Sequence, residues 1–87
     1  MFKLDEHKMY LRSVMREYND VAKRFNKTAG EYNKLYKKNE GDVSSEMKSM
    51  WSSVVEDYML LKDIKSKAEM SGLNPDKLIK LKYRIGE

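Results

Sequence analysis

Seven cations crowd the last third of an 87-residue chain: Lys62, Lys65, Lys67, Lys77, Lys80, Lys82 and Arg84. Groups of this kind attract phosphate, and each phosphate they neutralise releases condensed counterions, so the binding is sensitive to salt and tolerant of sequence. Base-specific reading would require Arg, Asn and Gln presented together on an exposed recognition helix, and no such set stands out here. The plain alternative is a basic end that only balances acids elsewhere in the chain.

Bond-making chemistry has little to stand on. The single histidine, His7, falls on an apolar seam, where a lone imidazole is far more often a packing residue than a base or a ligand. Glu56 and Asp57 are neighbours and so point in different directions on a helix, while Glu40 and Asp42 belong to a turn. No Glu-x-x-His pair, glycine-rich phosphate loop, nucleophile elbow or EF-hand spacing is present. The expectation is a protein that is not an enzyme, with no cofactor and no metal.

Composition narrows the class further. The net charge is +4, but residues 1–38 hold ten Lys/Arg against five Asp/Glu, residues 39–61 one against five, and residues 62–87 seven against four. Two basic arms therefore flank an acidic middle, which could repel a phosphate backbone or pair with a basic arm of another subunit. The chain lacks cysteine, so no disulfide frame or thiolate site is available, and a cytoplasmic location is expected. No window approaches the roughly 18 to 20 apolar residues that a membrane span needs, and the first residues do not read as a signal peptide.

The elements that must position these charges read as helices in one domain, residues 1–87. From Leu4 to Tyr36 an apolar residue returns every three or four positions: Leu4, Leu11, Tyr18, Phe25 and Tyr32 at one heptad position, with His7, Val14, Val21, Thr28 and Leu35 at another. A first helix is predicted over about 5–38, continuous through the weak point at Gly30, with Arg16, Lys23, Lys27 and Lys34 as an outward basic track. Asn39 to Asp42 reads as a turn in which Gly41 takes the left-handed conformation and Asp42 caps the next helix. The second helix is predicted over about 43–71, antiparallel to the first. Its main face includes Met47, Trp51, Val54, Tyr58, Leu61, Ile64 and Ala68, and an additional apolar flank at Val55, Met59 and Leu60 suits a partner.

The corner at Gly72 satisfies several rules at once: glycine to end a helix, Asn74 to cap, Pro75 at the first helical position, Asp76 in the first turn and Leu73 to staple onto Leu78. A short third helix is predicted over 75–84, in which Lys77, Lys80 and Arg84 share a face. The aromatic residues off the main seams, Tyr10 and Tyr83, are the ones available to stack on a base or a partner.

Residues 62–82 resemble the helix-turn-helix of the GapR family of nucleoid-associated proteins, and are similar to the small double-stranded-DNA-binding proteins of T-even phages. The shared positions are Ala68, Gly72, Leu73, Asn74, Leu78 and Lys80. The resemblance implies an all-helical oligomer that holds duplex DNA through lysines, with Lys65, Lys67, Lys77, Lys80 and Lys82 as contacts. Those families continue with a further helix beyond the corner, and the long first helix has no counterpart in the pattern.

Together these readings lead to an all-α, coiled-coil-like helical hairpin with a short third helix, phage or bacterial in style and working as a homodimer. The expected function is sequence-tolerant binding of double-stranded DNA through the basic corner. A helical adaptor or inhibitor that docks a host protein through Val55, Met59 and Leu60 is the competing reading, and a purely structural coiled coil a third.

Overall fold

The computed structural model describes residues 2–85, with side chains from residue 6 onward. Leu4 and the acid expected to start the first helix at Asp5 therefore have side chains outside the described residues. The first helix, α1, runs unbroken over Phe2–Lys38 and the second, α2, over Ser45–Met70. They pack together as a hairpin, and the principal extents of the chain are 58 × 20 × 18 Å.

The heptad pattern supplies the buried seam, but only along its middle. Val14, Tyr18, Val21, Ala22, Phe25 and Ala29 of α1 are buried with Val54, Tyr58, Leu61, Ile64 and Ala68 of α2. His7 is exposed rather than packed, as are Met9 and Tyr10. The reason is length: at ~1.5 Å per residue the 37 residues of α1 outrun the 26 of α2. Trp51, expected on the buried face of α2, is 42% exposed and leans its ring on Tyr32 at 5.2 Å.

Both turns are built from left-handed residues. Glu40 and Gly41 have φ of 53° and 89°, and the Gly41 amide donates to the Tyr36 carbonyl at 2.9 Å. Asp42 does not cap α2: Ser44 does, its hydroxyl accepting from the Met47 amide at 3.2 Å. Hence α2 starts two residues later than the sequence suggests. At the other end Gly72 has φ 90°, and the amides of Gly72 and Leu73 donate to the carbonyls of Glu69 and Ala68. That pair of bonds satisfies two orphan carbonyls of the last turn. Leu73 and Leu78 are both buried in the core, as the staple required.

The third helix is where the structure departs from expectation. Asn74 caps as foreseen, accepting from the Asp76 amide at 3.0 Å, but the helix it starts is a 3-10 turn of three residues, Pro75–Lys77. Leu78 then turns to an extended conformation, φ −89° and ψ 144°, and no helix forms over 78–84. From Ile79 to Ile85 apolar and basic residues alternate strictly. On a helix, Ile79, Leu81, Tyr83 and Ile85 would scatter to both sides, whereas on an extended chain they all face one way. The burial follows this second arrangement: Ile79, Leu81, Tyr83 and Ile85 are half-buried, and Lys80, Lys82 and Arg84 are exposed.

This segment, here called the strap, lies along the hairpin on two asparagines of α1. Asn19 Oδ1 accepts from the Ile79 amide at 2.9 Å. Asn26 engages the strap twice, Oδ1 accepting from the Lys82 amide at 2.9 Å and Nδ2 donating to the Lys80 carbonyl at 3.2 Å. The two rungs are seven residues apart, about 10.5 Å along a helix, which three extended residues span at ~3.3 Å each. Ile79 and Lys82 are three positions apart, so helix pitch and strand rise are in register. Gly30 now has a role as well: a Cβ there would stand 3.2 Å from the Tyr83 hydroxyl, closer than side chains usually approach.

Asn26→Ala should release the strap and leave the hairpin intact. In amide hydrogen exchange Lys82 is expected to exchange at least tenfold faster in the variant, with the amides of Phe25 and Leu61 unchanged. Unaltered exchange at Lys82 would mean that the strap does not depend on this side chain.

Candidate nucleic-acid interface

The strap gathers charges that the chain holds far apart in sequence. Arg16, Lys23, Lys27 and Lys34 fall within about 40° of one another around α1. All four are exposed. Asn19 and Asn26 lie next to that stripe, roughly 40 to 100° around the helix from its members. The strap's outward cations Lys80, Lys82 and Arg84 are therefore laid alongside the basic track of α1 rather than on a helix of their own. On its other side the strap meets α2, where Lys62 and Lys65 line a cleft together with Lys80 and Arg84. Asp20 and Glu31 border the stripe, about 20 to 80° further around α1 from its members.

Not every expected contact joins this surface. Lys67 turns away from the cleft side of α2 and pairs with Asp63 at 3.3 Å, both groups largely exposed. A surface pair of this type contributes at most about 1 kcal/mol. Lys77 is exposed in the 3-10 turn and shares no helical face with Lys80 or Arg84, because the helix that would align them is absent. Tyr83 is half-buried over Gly30, so it does not offer a free ring; Tyr10 is exposed on α1 away from the strap. Of the alternative partner surface, Met59 is 65% and Leu60 39% exposed, while Val55 is half-buried.

Two phenols lie beneath the basic surface. Tyr18 and Tyr58 line the cleft, and the Tyr58 ring packs on Phe25 at 5.6 Å while carrying the Lys62 ammonium 4.9 Å from its centroid. Burial pushes the Tyr18 pKa above the ordinary phenol value, and the charge of Glu69 and the neighbouring Tyr58 add to the rise.

The opposite side of the hairpin holds an ion pair that sequence reasoning missed. Arg24 Nε and one terminal nitrogen grip the two oxygens of Asp57 at 3.0 and 2.7 Å, and Asp57 is buried. The hydrogen bond to Asp57, then its charge, raise the Arg24 pKa, with a small opposing effect of burial. A lone Asp next to Glu56 gives no sign of such a partner in the sequence, since the pairing spans 33 residues. The asparagine rungs did leave a sign: Asn19, Asn26 and Asn33 recur every seven residues beside the seam.

Among the described residues, no helix is long and apolar enough to cross a membrane. No family model, curated protein or solved structure matches the chain.

The raised Tyr18 pKa fixes the sign of an alkaline effect. Above about pH 10 the unfolded chain loses the Tyr18 proton while the folded chain keeps it, so stability falls as pH rises toward the folded value. The urea midpoint should therefore drop less between pH 9 and pH 11 in Tyr18→Phe than in the wild type. Equal drops would remove Tyr18 from the account.

Proposed function

We propose that this protein binds double-stranded nucleic acid without reading its sequence, through the face on which the strap lies. One observation carries the reading: the strap's alternation sends Lys80, Lys82 and Arg84 outward between the basic stripe of α1 and Lys62 and Lys65 of α2. Extended residues two apart are separated by about 7 Å, so the strap offers a row of cations rather than a single cluster. The elongated shape, 58 Å in its longest dimension, extends the row along a rod. The exposed rings of Tyr36 and Trp51 share a groove with Arg84 at the end of the strap, so the preference for a duplex rests on the row of cations and not on a lack of rings for base stacking. The resemblance of residues 62–82 to GapR-like and T-even phage DNA-binding proteins points the same way through its lysines. The second helix of that motif has no counterpart here, because the strap takes its place. A homodimer in a bacterial or phage setting, in the cytoplasm, is part of this proposal.

The exposure of Met59 and Leu60 on α2 supports a second reading, in which the chain is an adaptor that docks a host protein. The two readings depend on different residues. Lys80→Glu with Lys82→Glu weakens duplex binding and spares an adaptor, whereas Met59→Asp has the opposite effect.

A salt titration of duplex binding provides the measurement. With four to six cations each on a phosphate, log K should fall against log salt with a slope of roughly −4 to −5. The Lys80→Glu, Lys82→Glu double variant should flatten it by about 2. No binding at low salt, or an affinity indifferent to salt, would sink the reading.

A further inference from the structure

We infer that the cleft between α2 and the strap is a binding site for a small organic phosphate of the aryl or nucleoside monophosphate class. The cleft has a volume of about 430 Å³, within the range of small-ligand sites. It exists only because the strap is extended: α1 and α2 supply its floor, and the strap from Leu78 to Arg84 supplies the facing wall.

Three features select the ligand. The floor is apolar and aromatic, with Leu61 and the rings of Tyr18 and Tyr58, which suits a flat apolar body. Lys62, Lys65 and Lys80 are at the lining, and no carboxylate is among the lining residues, although the charge of Glu69 acts on Tyr18 from outside them. A phosphate monoester, carrying about −1.5 to −2 at neutral pH, gains more from several ammonium groups than a singly charged carboxylate does. The phenols complete the match. Among the described residues neither the Tyr18 nor the Tyr58 hydroxyl has a hydrogen-bond partner, and both residues line the cleft. Each retains an O–H to donate to a phosphate oxygen. Lys62 is already held over the Tyr58 ring, which places its ammonium beside these donors.

The site shares lysines with the duplex-binding face but does not rest on that reading, because the phenols and the apolar floor lie beneath it. Amide-resolved NMR titration of the whole chain with adenosine monophosphate, adenosine and inorganic phosphate tests it. Adenosine monophosphate should produce saturable shifts at Tyr58, Leu61, Leu78 and Leu81, at least tenfold tighter than adenosine or phosphate alone. Tyr58→Phe keeps the ring against Phe25 and should weaken that binding severalfold, Lys65→Glu at least tenfold. Lys48→Glu, near the start of α2 and outside the cleft, should leave it unchanged. The site is overturned if the shifts do not saturate, if Lys48→Glu weakens binding as much as Lys65→Glu, or if Tyr58→Phe has no effect. A wild-type chain that binds duplex yet ignores adenosine monophosphate likewise overturns the site while leaving the duplex reading in place. The reverse result separates them the other way.

Discussion

An extended backbone with no neighbouring strand must find partners for its amides and carbonyls, and this requirement organises the side of the molecule where the charges collect. Water can satisfy those groups, but a strap solvated on all sides would have no reason to stay on the hairpin. Apolar contact alone would hold Ile79, Leu81, Tyr83 and Ile85 loosely, since all four are only half-buried. The side-chain amides of Asn19 and Asn26 supply direction and register. An asparagine amide carries both a donor and an acceptor, so Asn26 can meet a carbonyl and an amide of the same extended segment much as a neighbouring strand would. Replacing either by Asp would leave only acceptors, and replacing either by Leu would leave strap amides without a protein partner.

Two helices alone bury a single seam and leave a groove on each side of it, and the two grooves are finished differently. One receives the strap with its cations. The other stays open and is bridged by the Arg24–Asp57 pair, where a carboxylate that is mostly removed from water meets a guanidinium that remains largely in it. Because the guanidinium is exposed, the net stabilisation is modest, on the order of 1 kcal/mol. Its geometric effect is larger: a two-point grip at 2.7 and 3.0 Å resists sliding of one helix along the other. Phe25 and Tyr58 pack one residue away from that pair on each helix. The register that places Asn19 and Asn26 opposite the strap is thus fixed from the far side.

The hairpin was legible because helix formation and seam burial are dictated locally by a period that repeats over many turns. The same regularity explains the failure at residues 75–84. Asn74, Pro75 and Asp76 are a sound helix start, and they do start a helical turn. What stops it is the period-two order of Ile79 to Ile85, a signal present in the sequence but overshadowed by the capping residues in front of it. Its partner could not be read in the same way, since no other segment alternates and the strap pairs with side chains on a helix. Gly30 stood out as a weakness in α1, and only the approach of Tyr83 shows what the missing side chain makes room for. Arg24 and Asp57 were invisible for a different reason: nothing local marks an ion pair that joins two helices.

The change from helix to strap also alters what the basic residues can do. On a helix, Lys77, Lys80 and Arg84 would form one compact cluster while Lys82 pointed elsewhere, and their mutual repulsion would be concentrated within about two turns. On the extended strap Lys80, Lys82 and Arg84 share a side at intervals of about 7 Å, and Lys77 is left behind in the turn. A compact cluster suits a single anion. A spaced row beside a second row on α1 suits a polyanion whose own charges are spread along a line. The inward residues of the same strap close a pocket with two phenols at its base. One alternation therefore sorts the segment into an outer side that carries the cations and an inner side that packs on the hairpin.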